Sequence, residues 1–193
     1  GQVDHWESLF NSDSNFKYWS SEKGDADPNW RLPAFDDSSW EEGPGGIGYG
    51  DGDDGTIINP CNAVFIRKTI NITDKSKITS AFLYMDYDDA FVAYLSGTEI
   101  ARSAGLSVPF PTIFQLSSNQ HDAGSRESYA IDPAVLNSSL LNGDNTIVFA
   151  TYDGTAGLQY LITLEADLDW NEQDLGLTNQ IIVQRTFLFT EQN

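Results

Sequence analysis

What most constrains this chain is the rhythm of its apolar residues. From about residue 63 onward it runs in short alternating or β-branched stretches, and turn signals break it roughly every eight to twelve residues. Residues 64–72 alternate, placing Val64, Ile66, Lys68, Ile70 and Ile72 on one face and Phe65, Arg67 and Thr69 on the other. Residues 79–85 and 91–95 are further runs. Ser96-Gly97 then turns the chain into residues 98–102, a hairpin that exposes Ser96 and takes its positive φ from Gly97. Residues 127–131 come next, followed by a single helical turn over 132–141 that ends at Asn142-Gly143. Residues 146–152 and 158–164 read as another pair of strands, with 153–157 as the connecting loop.

No stretch keeps a helical period long enough for a helix that could organise a core. Residues 1–46 hold four of the five tryptophans, Trp6, Trp19, Trp30 and Trp40, among Asp, Ser, Gly and Pro. This reads as short strands and loops with aromatic plugs. Residues 43–55 are glycine-rich, but no Gly-Lys-Ser/Thr follows and no helix opens, so neither a P-loop nor a dinucleotide fingerprint is spelled. Such a loop lets backbone come close to something. Residues 181–190 form a last run whose apolar stretches, 181–183 and 187–189, suit an added edge strand or pairing with a partner chain. The expectation is an all-β antiparallel sandwich of the jelly-roll kind over residues 1–170, with an extension at 171–193.

Charge narrows the partners. Ten Lys+Arg against 29 Asp+Glu give a net charge of −19, which repels phosphate backbones and anionic lipid. Neither nucleic-acid binding nor membrane insertion is expected, because no apolar run approaches the ~18 residues of a spanning helix. Cys61 alone supports neither a disulfide framework nor a thiolate zinc site. Aromatic residues at 12 % argue for a packed core despite the charge. The opening Gly1-Gln-Val-Asp-His-Trp lacks the basic and apolar regions of a signal peptide. The rarity of Cys and the polar loops suit an exported bacterial protein, secreted, periplasmic or on the cell surface. Sequons stand at Asn71 and Asn137 and matter only in a eukaryotic secretory pathway.

Five segments then line up in order. They are Trp30-Arg-Leu-Pro-Ala-Phe-Asp-Asp-Ser-Ser-Trp40, Gly46-Ile-Gly-Tyr-Gly-Asp51, Phe65-Ile-Arg-Lys68, residues 88–102 with Asp88-Asp89 and Tyr94-Leu-Ser-Gly97, and Leu141-Asn-Gly-Asp-Asn145. Together they resemble the galactose-binding-like jelly-roll domains, found as carbohydrate-binding modules and as the sugar-binding domain of family 2 glycoside hydrolases. The resemblance covers roughly residues 16–168. It departs at Ala90, where a Gly is usual, and at Ser96, where the turn usually has Asn. These motifs also have a local physical reading. Phe35 and Trp40 plug the core, Asp36 or Asp37 accepts backbone N–H bonds in an Asx turn, and Asn145 bonds nearby backbone. The resemblance implies a sandwich that handles carbohydrate and often carries a structural Ca²⁺.

Three kinds of site follow. Asp51, Asp53 and Asp54 cluster among glycines as a hard cation such as Ca²⁺ requires, with Glu165, Asp167 and Asp169 as an alternative set. A glycan needs aromatic faces and forked polar groups on loops. The ligand-binding expectation is Trp19, Tyr49, Tyr87, Arg102, His121, Arg126 and Tyr152, with Phe110, Phe114 and Tyr160 in the same loops. Catalysis is not expected. Paired carboxylates abound in so acidic a chain that they single out no dyad, no Gly-x-Ser-x-Gly occurs, and His5 and His121 lack metal spacing. The functional expectation is a non-catalytic carbohydrate-binding or accessory module whose partner is a polysaccharide or oligosaccharide. The rival is a structural sandwich that packs on a neighbouring domain and touches no sugar.

Overall fold

Two antiparallel sheets face each other across one apolar layer, as the short alternating runs require. The computed structural model describes residues 5–50, 52, 54–107, 109, 119, 121–152 and 160–168. In chain order the strands are β1 (His5–Phe10), β2 (Asn15–Ser20), β3 (Glu41–Pro44), β4 (Ile47–Gly48), β5 (Thr56–Ile57), β6 (Ala63–Ile72), β7 (Ile78–Tyr87), β8 (Ala90–Leu95), β9 (Thr98–Arg102), β10 (Glu127–Ala130), β11 (Gly143–Tyr152) and β12 (Tyr160–Leu168). One helix, α1 (Pro133–Ser139), precedes β11 and is capped by Asp132, whose carboxylate accepts from the Ala134 and Val135 amides. The four-stranded sheet has the order β1-β12-β7-β10 and the six-stranded sheet β3-β2-β6-β11-β8-β9. An all-β antiparallel sandwich is the fold observed. No helix among the described residues is long and apolar enough to cross a membrane. Residues 171–193, and with them the run at 181–190, lie outside the described residues.

The main core lies between the sheets, where Phe16, Ile66, Ile72, Leu83, Met85, Phe91 and Phe149 are fully or almost fully buried. A second cluster covers the opposite face of the six-stranded sheet: Trp30 and Trp40 lie over Phe65, Val92, Tyr94 and Val148. This second layer explains why β8 is buried along its whole length instead of alternating. In β6 the expected faces hold, with Val64, Ile66, Ile70 and Ile72 in the main core and Phe65 in the second. Lys68 shares the inward face by snorkelling: its ammonium donates to the Asn15 carbonyl and lies over the Phe16 ring.

Arg67 fastens the second layer. Its Nε donates to Asp37 Oδ2 at 2.8 Å, and its remaining nitrogens donate to the carbonyls of Trp30, Leu32 and Phe35. The guanidinium also lies over the Phe35 ring, which packs on Trp40. The expected Asx turn is made by Asp36, whose Oδ1 accepts from the Ser38 amide, which leaves Asp37 for Arg67.

Two expectations are corrected. Residues 146–152 and 158–164 are not a pair: β11 lies between β6 and β8, whereas β12 lies between β1 and β7 in the other sheet. Two adjacent apolar runs look alike whether they pair or belong to different sheets, and here they belong to different sheets. Ser96 is not exposed either. It is half-buried in a turn with positive φ at both Ser96 (48°) and Gly97 (90°), and an added methyl at Gly97 would lie 3.3 Å from Leu32. The N-terminal plug sits on that turn. The glycine-rich loop approaches the chain itself: a Cβ on Gly45 would lie 1.7 Å from the Ser12 carbonyl, and Ile47 pairs Thr56 in a short parallel ladder.

Candidate functional site

β7 alternates to its end, so Leu83, Met85 and Tyr87 point into the core while Phe82 and Tyr84 stand half-buried on the outer face. At Asp88-Asp89 the chain turns toward β8, with Asp89 at a φ of 55°. This corner holds a returning segment by backbone and carboxylate together. The Asp89 amide donates to the His121 carbonyl at 2.8 Å, the His121 amide donates to Asp89 Oδ1 at 3.1 Å, and the Gly124 amide donates to Asp86 Oδ1 at 2.7 Å.

The His121 ring is thereby laid on the Tyr87 ring, with centroids 4.2 Å apart and planes 9° from parallel. Its Nδ1 meets the Tyr87 carbonyl at 2.9 Å and its Nε2 meets Glu127 Oε1 at 3.0 Å. The other carboxylate oxygen, Glu127 Oε2, accepts from Tyr129 Oη at 2.7 Å and Tyr87 Oη at 3.3 Å, and the two phenols are 3.0 Å apart. Register sets this up, because Glu127 stands opposite Met85 and Tyr129 opposite Leu83 at the edge of the sheet. Just outside, the Arg126 guanidinium lies 4.4 Å from the Tyr84 ring centre. Phe82 and Trp6 continue that aromatic row at centroid spacings of 6.3 and 5.4 Å.

These contacts shift the titrations. Burial works to lower the His121 pKa, but its bonds to Glu127 and the Tyr87 carbonyl, with the charges of Glu127 and Asp86, raise it above its ordinary value. Glu127 is held below the usual carboxylate range by the Tyr129 hydroxyl and then by His121. Burial first, then the bonds among the phenols and Glu127, push Tyr129 up; burial likewise raises Tyr87. The cluster therefore favours the protonated imidazole, the ionised carboxylate and the neutral phenols over their alternatives. It presents the edge of Glu127 and the exposed Arg126 guanidinium to solvent beside a row of rings.

Of the expected ligand residues, His121 stacks on Tyr87, which is buried beneath it, whereas Arg126 lies over Tyr84 on the outer face. The other residues lie elsewhere. Trp19 is half-buried on the outer face of the six-stranded sheet, where its Nε1 donates to the Gly24 carbonyl, Lys23 lies over its ring and Trp40 packs beside it. Tyr49 packs on the main core and donates its hydroxyl to the Cys61 carbonyl. Arg102 closes its own loop, with two parallel bonds to Glu99 and others to the carbonyls of Leu106 and Pro109. Tyr152 ends β11 opposite Ala63 and Ala90.

Asp54 is half-buried in the glycine-rich loop, whereas Asp51, Asp53, Asp169, Phe110 and Phe114 lie outside the described residues. Tyr160, Glu165 and Asp167 are placed only as backbone positions in β12. Among the described residues no three His, Cys, Asp or Glu side chains gather as a metal site. Glu127, Tyr129 and Tyr84 were missed by sequence reasoning. The period of two in residues 127–131 gave the strand, and the same period puts Glu127 and Tyr129 on one face.

The fold is a two-sheet antiparallel β-sandwich, and solved structures of larger chains contain a similar one. Among solved structures, the β-glucuronidase of Ruminococcus gnavus matches with a TM-score of 0.50 and 9 % identity, over 86 % of this chain and 30 % of that one. A complex of the R. gnavus enzyme with an N1-substituted uronic isofagomine gives the same score and identity, over 86 % and 31 %. A Bifidobacterium dentium β-glucuronidase complex is similar at a TM-score of 0.49 and 12 % identity, over 79 % and 21 %. This chain therefore spans less than a third of the chains it matches, and at such identities the likeness is one of fold. That fold is the antiparallel β-sandwich expected from the sequence. No protein-family model matches the sequence, and no curated protein matches it.

Proposed function

We propose that this protein is a non-catalytic carbohydrate-binding or accessory domain of an exported bacterial protein, holding a glycan weakly at the corner where β7 meets β10. The observation that carries this reading is the cluster of His121 on Tyr87 with Glu127 and Tyr129 at one end of the four-stranded sheet, with the exposed Arg126 over Tyr84 on the adjoining outer face. Sugars are held by rings packed on their C–H faces and by planar charged groups that fork onto adjacent hydroxyls, and this corner has both. Fold likeness to part of the R. gnavus β-glucuronidase chains supports a setting beside glycan chemistry. His121 and Glu127 are each bonded at both of their polar atoms, an arrangement that favours holding a surface over turning over a substrate.

Calorimetry with plant and algal polysaccharides tests the reading. Heat at millimolar ligand that falls on Arg126→Ala is the expected result, and no heat from any polysaccharide sinks it. The scaffold reading draws on a specific observation too: the half-buried row Trp6–Phe82–Tyr84 on an outer sheet face is a surface on which a neighbouring domain of the full-length protein could pack. It gains if the calorimetry is silent.

A structural Ca²⁺ on Asp51, Asp53 and Asp54 belongs to the proposal, since three carboxylates on one backbone loop offer the hard oxygen donors that ion takes. Its removal by EDTA should lower the melting temperature, and added Ca²⁺ should restore it, because a ligand bound only by the folded state raises stability. An unchanged melt in both conditions removes the ion from the account.

A further inference from the structure

We propose that His121 is a proton-operated latch, which as imidazolium fastens residues 121–126 to the corner of β7 and β8 and as neutral imidazole lets them go. The argument is one of donors and acceptors. The Tyr87 carbonyl can only accept, and the Glu127 carboxylate, itself receiving the Tyr129 hydroxyl, also accepts. A neutral imidazole has one N–H and one lone pair, so it would turn that lone pair on an oxygen. Only the doubly protonated ring satisfies both contacts. The face-to-face stack on Tyr87 adds to the preference for a cation.

The titratable and charged groups around the ring act in the same direction or hold the frame. From β7 these are Asp86 and Tyr87, from the turn Asp89, and from β10 Glu127 and Tyr129; Asp122 and Arg126 belong to the segment itself. Glu127 and Asp86 attract the imidazolium. Asp86 and Asp89 hold the segment's amides independently of the imidazole, so release leaves a hinge and not a detached chain. Since Arg126 rides on this segment, the latch also positions the guanidinium over Tyr84. Its consequence for glycan binding rests on the function proposed above, but the latch itself does not.

The test uses the intact protein without ligand. ¹⁵N spectra of the two histidines, followed with pH, should show His121 protonated at both nitrogens to a midpoint above its ordinary 6.5. The amide resonances of Asp89, His121 and Gly124 should move with that same midpoint. Glu127→Gln, which keeps the acceptor oxygen but not the charge, should bring the midpoint down, and His121→Phe, which keeps a ring on Tyr87, should abolish the pH response of the Asp89 and Gly124 amides. A His121 midpoint at or below 6.5, or Asp89 and Gly124 amides that stay still as His121 titrates, overturns the latch. If His121→Phe does not fold, the wild-type titration and Glu127→Gln decide. A glycan that fails to bind leaves these readouts unaffected.

Discussion

Arg67 and His121 do the same job in two parts of this sandwich, and they differ in one respect. Each is a cation laid on an aromatic ring, Phe35 or Tyr87. Each meets one carboxylate, Asp37 or Glu127, and one or more main-chain carbonyls of the loop or strand it fastens. Arg67 is 2 % exposed and His121 21 %. The difference lies in the proton. A guanidinium keeps its charge at any pH a protein survives, so the plug of Trp30, Phe35 and Trp40 on the six-stranded sheet is fastened permanently. An imidazole gives up its charge near neutrality, so the corner of the four-stranded sheet is fastened conditionally. One arrangement belongs to the fold and the other is free to serve function.

The sharpest way to break this comparison is at Arg67. Arg67→Met leaves the carbonyls of Trp30, Leu32 and Phe35 and the Asp37 carboxylate without their donor beneath the plug. A loss of about 3 kcal/mol is expected, read as a lower urea midpoint. Arg67→Lys should recover only part of it, because an ammonium cannot span four acceptors in a plane. The loss should be the same at pH 6 and pH 8. A loss that changed between them would mean that a titrating group, not the guanidinium, holds the plug.

Much of this contrast was written in residue order. The alternation in 64–72 puts Arg67 on the face opposite Val64 and Ile66, and the Trp-rich N-terminus announces plugs that need a surface to cover. The side they would cover was not legible. Only the observed second layer explains the full burial of Ala90–Leu95, because a run of six apolar residues reads alike in any strand buried on both faces. Sheet membership was also hidden. β11 and β12 are neighbours in sequence, yet partners far along the chain, β6 and β1, decide where each lies. In the candidate site, Tyr87, His121 and Arg126 stood out as polar or aromatic loop residues. Their junction with Glu127 depends on the register of β10 against β7, and single-strand patterns do not encode register between strands.

The second prediction is smaller and depends on pH. His121→Phe should cost about 0.5–1 kcal/mol near pH 6, a range set by the solvent that screens Glu127. Because the folded-state pKa of His121 is raised, its contribution is complete below the unfolded value and disappears as pH rises through the folded one. Glu127 sets the other limit: with a lowered folded-state pKa, its contribution holds above the unfolded value and disappears as pH falls through the folded one. The stability difference between wild type and variant should therefore peak between the ordinary values of 4.5 and 6.5 and shrink on both sides. Urea midpoints at pH 3, 6 and 9 measure it. A difference constant across the three would make His121 a second Arg67 and end the distinction.

The smallest effect is expected at Arg126, whose guanidinium on Tyr84 copies the stack of Arg67 on Phe35 in solvent. A cation–π pair at an exposed site is worth about 0.5–1 kcal/mol, and much of that is regained when water takes up the ring face. Arg126→Ala should therefore move the urea midpoint by less than about 0.5 kcal/mol. The two guanidinium-on-ring contacts differ chiefly in burial, so the pair of variants measures what burial adds to one geometry. An Arg126→Ala loss as large as that of Arg67→Met would place Arg126 within the folded framework, and the corner could no longer be read as a surface that the fold leaves available for binding.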